Sequence, residues 1–447
     1  MSIDVRAPLR ARALGAALGA LALAHAAPAR AQAPGSLDAE ITRRVAEVQP
    51  RVVAWRRDIH QHPELSNRET RTSQLVAEHL RSLGLEVRTG VAHTGVVGIL
   101  RGGKPGRTVA LRADMDALPV AEQVDVPFRS TVRTTYNGQD VGVMHACGHD
   151  MHTAMLMGVA QVLAGMRERI PGTVEFVFQP AEEGPPAGEE GGASMMVREG
   201  VFRDPKPDAV FGLHVWTQPV GQLFVRPAGA MASADNLRIV VRGRQTHGAV
   251  PWGGVDPIVV GAQIVGALQT IASRQVNVTT APAVVTIGSF QGGVRQNIIP
   301  DSVVMLGTVR TFDDAMRKDI HDRVRRTAEM IAASAGATAE VTIREAAALT
   351  YNDPGLTTRM TPTLERVAGS AGTRPSPLIT ASEDFSYFQR EVPGMFVFLG
   401  IVPPGTDPAT APANHSPKFF ADEAALPVGV RTMATLALDY LMGGSGR

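Results

Sequence analysis

The sequence predicts an α/β protein in two parts: a mixed, mostly parallel sheet flanked by helices, interrupted by a ferredoxin-like α+β insertion. Three observations carry this. Between residues 85 and 211 short apolar runs alternate with helical stretches, the order that builds parallel sheets. The run 173–178 is apolar apart from Glu175, as a strand covered on both faces requires. From 237 to 344 the order becomes β-α-β-β-α-β, that of a ferredoxin-like split unit.

At 447 residues the chain is long enough for two cores, and 44% hydrophobic with 19% charged residues is ordinary for a globular protein. Residues 1–31 are set apart. Arg6, Arg10 and Arg12 precede an apolar run at 13–24, and Ala29-Arg30-Ala31 offers small residues where a signal peptidase cuts, so the expectation is an exported protein, periplasmic or secreted. The apolar run is too short to span a bilayer. Removing residues 1–31 takes away four arginines and one aspartate and leaves 40 basic against 42 acidic residues. That near-neutral balance gives no case for nucleic acid or an anionic membrane as partner. The single cysteine, Cys147, has no intrachain partner in an oxidising compartment, so a metal is a sensible use for it.

The elements follow in order. Ile41, Val45, Val48, Val52 and Val53 fall near helical spacing over 36–57, with Pro50 placed to kink the helix. A second helix at 69–83 ends at Gly84. Strands at 85–91, 96–100 and 108–112 lead to ADMDALP, which puts Asp114 and Asp116 just past a strand's carboxyl end, where open α/β sheets bind ligands. A loop, HACGHD, opens a helix at 152–169. The strand 173–178 delivers Glu182 and Glu183, and the strand 208–211 delivers His214. After the insertion come a helix near 355–367, the ASEDFSYF turn with Glu383 and Asp384 as helix caps, a strand at 395–399, the NHSP loop with His415, and a closing helix at 422–442. The domain expectation is 32–225 and 347–447 for the first fold and 226–346 for the insertion.

Chemistry concentrates at residues 145–152. Cys147 stands two residues before His149, so a thiolate and an imidazole reach one point. Three strand ends carry Asp116, the Glu182 and Glu183 pair, and His214 to one edge of one sheet. Cys147, His149, Glu183, His214 and His415 make five ligand-type residues, with Glu182 spare, a set that suits two metals sharing a water.

The segments LRADMDALP, MHACGHDMH, QPAEEG, GLHVW, GRQTHGAVPWGGVDPI and NHSPKF, in this order over 52–442, resemble the dinuclear metallopeptidase superfamily of aminoacylases and glutamate carboxypeptidases (peptidase family M20), and within it the amidohydrolase branch. The resemblance implies two divalent metal ions per subunit, zinc or manganese first and cobalt or nickel also in use, held by Cys147, His149, Glu183, His214 and His415. It implies Glu182 as general base and a lid that often dimerises, so that a homodimer through the lid is expected. Asp116 is cast as the carboxylate that orients a metal-bound histidine. His247 matches the lid residue that reaches an active site, often the partner subunit's, to stabilise the oxyanion. Asn297 and Arg310 match lid positions that hold the substrate's carboxylate or carbonyl.

The resulting expectation is hydrolysis of an N-acyl amino acid, hippurate-like, N-acetyl or indole-acetyl. A carboxypeptidase or dipeptidase with the same site, acting on a short peptide, is the nearest alternative. A non-catalytic solute-binding protein also has two α/β lobes behind a leader, but needs neither a metal cluster nor a spare glutamate.

Overall fold

A computed structural model describes residues 36–443, and the leader expected at 1–31 lies outside the described residues. The larger sheet has eight strands in the order Glu86–Val91, Gly95–Arg101, Pro171–Gln179, Lys104–Asp114, Ala209–Pro219, Gly394–Val402, Leu223–Val225 and Thr373–Pro375. Its central pairs, from Pro171–Gln179 to Gly394–Val402, are parallel. Antiparallel strands flank them on both sides. The mixed, mostly parallel sheet of the α/β expectation is therefore present.

Alternation along Lys104–Asp114 shows why this sheet is covered on both faces. Val109, Leu111 and Ala113 face the core shared with helices Leu37–Gln61, His149–Ala164 and Leu426–Leu441. Ala110 faces a second core with Met196, Phe385 and Phe388, beneath helices Gly192–Arg198 and Ser386–Glu391. A period of two puts successive side chains on opposite faces. Helix His149–Ala164 is buried almost throughout, so it shows no polar stripe.

The structure corrects several sequence boundaries. The helix placed at 152–169 runs over His149–Ala164, with Gly148 at φ +90° as N-cap, so His149 joins His152 in its first turn instead of lying in the loop before it. The first helix runs through Pro50 to Gln61 without ending, because the missing N–H falls on the exposed side. The strand expected at 208–211 extends to Pro219, so His214 sits within it. Two hairpin strands, Arg133–Tyr136 and Gln139–Gly142, have polar sequences that carry no strand pattern.

The second sheet is a four-stranded antiparallel one, ordered Ala283–Gly292, Ser302–Thr311, Ser233–Arg242, Thr338–Ala347. Helices Pro257–Thr270 and Asp314–Ser334 cover one face and bury Leu237, Ile239, Met305 and Val309. This is the ferredoxin-like order, and it forms the lid. An ion-pair chain ties lid to body: Arg317 Nη2 is 2.6 Å from Asp235 Oδ1, Arg317 Nη1 2.8 Å from Glu345 Oε2, and Arg390 of the body 2.7 Å from Glu345 Oε1. Among the described residues no helix is long and apolar enough to cross a membrane.

Glu175 is fully buried on a central strand, with Arg88 Nη2 at 3.2 Å as its charge partner. Burial outweighs that arginine and pushes the carboxyl up to about 8 from 4.5. A folded-state value above the unfolded one stabilises fully below 4.5 and loses that contribution as pH rises through 8. Glu175→Gln therefore gains stability relative to the parent as pH rises between these limits, by at most about 1.4 kcal/mol per pH unit. Denaturant unfolding at pH 5, 6.5 and 8 reads this; an identical pH dependence in the two proteins would contradict it.

Candidate metal centre

The site lies where the parallel strands end. Lys104–Asp114 stops at Asp114 and the chain turns, bringing Asp116 under the loop that carries Glu182 and Glu183. Asp116 is 1% exposed and is the hub. Its Oδ2 accepts from Ser66 Oγ at 2.7 Å and from the Glu183 backbone N–H at 3.0 Å, while Oδ1 accepts from the Glu182 N–H at 3.1 Å. His149 Nδ1 lies 2.8 Å from the Asp116 carbonyl oxygen and 3.2 Å from its Oδ1. These bonds turn the opposite ring nitrogen, Nε2, into the centre.

That Nε2 is buried and has no hydrogen-bond partner among the described residues. It stands 3.7 Å from Asp114 Oδ2, 3.9 Å from Glu182 Oε2 and 3.9 Å from Glu183 Oε1. Burial opposes the charged imidazole of His149, but the carboxylates of Asp114 and Asp116 win and push it well above its ordinary value. His214 goes the other way, well below its ordinary value, through burial and the neighbouring His152. Its Nδ1 donates to the Val215 carbonyl at 2.7 Å, which leaves the Nε2 lone pair 3.5 Å from Cys147 Sγ.

Cys147, Glu183 and His415 form the other half, with ligand atoms within 4.8 Å of one another. Burial raises the Cys147 thiol, and the Glu183 charge adds to this. His415 Nε2 lies 3.1 Å from Glu183 Oε1 but makes no hydrogen bond with it. The Cys147 sulfur and the Glu183 carboxylate beside it push the His415 imidazole up to about 10. The five residues that the sequence marked as ligands thus converge, although Cys147 and Glu183 come from loops and His214 from within a strand.

Two non-glycine residues of the site loops hold left-handed backbones, Ala181 at φ +52° and His415 at φ +71°. Such conformations cost on the order of 1 kcal/mol each and persist only where neighbours fix them. Glu69 Oε1 accepts the Ala181 N–H at 2.8 Å, and the Ala146 carbonyl accepts the His415 N–H at 2.8 Å.

Donor chemistry suits divalent cations: a thiol, imidazoles with an open nitrogen and carboxylates surround buried polar atoms that nothing else satisfies. Glu182 faces this cluster from beside Glu183. Burial, followed by the charges of Glu383 and Glu183, pushes its carboxyl well above the ordinary range. A neighbouring cation acts in the opposite direction.

Behind the centre lies a network the sequence reading did not single out. Arg112, 2% exposed, reaches Asp114 Oδ2 at 2.7 Å, Gln179 Oε1 at 2.7 Å, Glu383 Oε1 at 2.8 Å and Asp384 Oδ1 at 3.2 Å. Glu383 and Asp384 do not cap the helix after them, whose N-cap is Phe385 with no side-chain bond; they balance a buried guanidinium instead. Asp114 also binds His152 Nδ1 at 2.6 Å, and His152 Nε2 accepts the Val215 N–H at 2.8 Å, which props the strand beside His214. An arginine inside an otherwise apolar strand, LRAD, was the available signal for Arg112. Ser66 and Glu69 gave none, since each acts through a contact distant in sequence.

A cleft of about 400 Å³ opens over the centre, with Trp216, Met231, Arg310 and Ser382 among its walls. Arg310 comes from the lid, and its Nη1 is buried without a partner. His247 and Asn297 are elsewhere in the fold. They meet each other, with Asn297 O accepting the Gly248 N–H at 2.8 Å, but both are exposed and neither lines this chain's cleft.

An α/β body with a ferredoxin-like lid and a buried His/Asp/Cys/Glu cluster defines a metallohydrolase architecture. Residues 110–439 match peptidase family M20/M25/M40, and the chain belongs to that family. It is 42% identical over 399 residues to thermostable carboxypeptidase 2 of Saccharolobus solfataricus, covering 89% of this chain and 97% of the relative. It is 37% identical over 394 residues to N-acetylcysteine deacetylase of Bacillus subtilis, covering 88% and 97%. A crystal structure from Bacillus subtilis, described as a dinuclear metal binding peptidase from the M20 family, superposes with TM-score 0.73 at 35% identity, covering 89% of this chain and 99% of that one. The chain is a hydrolase of this family, which sets aside the solute-binding alternative.

Proposed function

We propose that the protein is an exported amidohydrolase with two divalent ions, zinc or manganese with cobalt or nickel as substitutes, that splits N-acyl amino acids into a carboxylic acid and a free amino acid. The observation that carries this is one acid left over: Cys147, His149, Glu183, His214 and His415 can hold ions while Glu182, adjacent to Glu183, remains free beside them. Bound ions of this kind supply Lewis acidity, acidifying a water and drawing charge from an amide carbonyl.

The chain's own residues supply the remaining steps. Glu182 takes a proton from the attacking water and returns it to the leaving nitrogen as the carbon–nitrogen bond breaks. Asp116 keeps His149 turned so that its Nε2 faces the cluster. Arg310 pairs with the substrate's carboxylate, the use its unsatisfied guanidinium suggests. His247 of a second subunit donates to the carbonyl oxygen, with Asn297 beside it. Their distance from this chain's cleft supports that arrangement, and with it a homodimer formed through the lid. Export rests on the pattern of residues 1–31.

The second reading is a carboxypeptidase, favoured by the 42% identical relative of that name. Both readings require a free carboxylate on the substrate.

Glu182→Gln should retain its metal and lose about 10³-fold in kcat on hippurate or N-acetyl amino acids, whereas Cys147→Ser loses both metal and rate. Metal analysis alongside turnover decides, and near-parental activity of Glu182→Gln removes it as the base. Mixing His247→Ala with Glu182→Gln subunits should restore activity that neither has alone. No recovery would place His247 outside a shared site.

A further inference from the structure

The lid sheet has a helix-covered face and an open one, and the open one is cationic. Register places Arg310, Ala234 and Ala347 in one row across three strands. The next row outward holds Thr308, Asn236 and Arg344, and the one after it Leu306, Arg238 and Thr342. Leu237, Ile239, Met305 and Val309 point into the helices, so the alternate positions Arg310, Arg344 and Arg238 share the opposite face.

This face begins at the cleft. Arg310, Ala346 and Ala347 line it, and Arg344 lies two residues back from Ala346, about 7 Å along the strand. Two strand spacings and one row separate Arg310 from Arg344, about 12 Å between Cα atoms, a gap that two arginine side chains can largely close around one ligand.

None of the three arginines has a carboxylate within ion-pair distance among the described residues. Asp235 and Glu345 lie close in sequence but are engaged by Arg317, His321 and Arg390. Glu340 is on the open face one row beyond Arg238, and it too forms no ion pair there. Arg238 and Arg344 are exposed, and Leu306, 45% exposed, gives the same face an apolar spot. Unpaired exposed arginines leading out from a cleft raise the local concentration of anions and hold a second carboxylate in a planar fork.

We propose that Arg344, supported by Arg238, forms a second anion subsite beyond Arg310, so that the enzyme prefers N-acyl amino acids carrying an additional carboxylate over their neutral counterparts. This rests on reading Arg310 as the anchor of the substrate's own carboxylate. The subsite acts on the amino-acid side of the scissile bond and leaves the acyl group to Trp216 and Met231.

The test compares N-acetylglutamate with the near-isosteric N-acetylglutamine on the metal-loaded enzyme. The parent should favour the glutamate conjugate in kcat/KM, and that preference should shrink as salt rises from 0.05 to 0.5 M, because exposed charges are screened. Arg344→Gln should lower the glutamate-to-glutamine ratio about fivefold, mainly through KM, with Arg238→Gln adding a smaller loss. Both substitutions lie on exposed positions, and an unchanged Tm shows that folding is intact. A parental ratio near one, a ratio that neither substitution moves, or turnover of neutral conjugates alone overturns the subsite while leaving amide hydrolysis standing. Failure of the loaded enzyme on every N-acyl amino acid overturns both.

Discussion

The carboxylate of Asp116 is the constraint on which the centre depends. One fully buried group accepts hydrogen bonds from Ser66, from the backbone of both Glu182 and Glu183, and from the His149 ring. These partners come from three separate parts of the chain, so a single side chain fixes two loops and a helix start against one strand end. Leaving a buried donor unpaired costs about 1–3 kcal/mol, and losing Asp116 would orphan several at once. The angle at which Glu182 and Glu183 meet the cluster is therefore set from below, by the body of the fold.

Charge balance one layer deeper serves the same end. Arg112 lies among Asp114, Glu383 and Asp384, groups that burial alone would neutralise. Asp384 is pushed up to about 7 by burial, with Arg112 opposing the shift. Asp114, nearest the guanidinium, is held well below the usual carboxylate range once Arg112 and the flanking histidines overcome its burial. Arg112 thus holds Asp114 low while burial still pushes Glu383 and Asp384 up. Asp114 with the His152 ring it holds braces the strand that carries His214.

Most of the fold was legible because its strands are apolar on both faces and its lid follows a fixed order of elements. Short polar strands such as Arg133–Tyr136 were not, since pairing there is decided by a neighbouring hairpin arm and not by local pattern. The ligand-type residues were legible as a set: the unique cysteine, histidines after strands and the double glutamate narrow the choice. Glu69, Ser66 and Gln179 were hidden, because a polar residue whose hydrogen-bond partner is distant in sequence looks like any other polar residue in a line of sequence. His247 and Asn297 were singled out only by resemblance, and the structure leaves both exposed and outside the walls of the cleft.

The order of the ligand-type residues along the chain has a consequence for biosynthesis. Asn414, next to His415, hydrogen-bonds the Cys147 carbonyl across 267 residues of sequence, and the whole lid is inserted between them. Closing so long a loop is entropically costly and slow. A nascent chain therefore carries Cys147 and His149 for most of translation before Asn414 and His415 exist to pack against them, and this edge of the site closes only after the lid has been made.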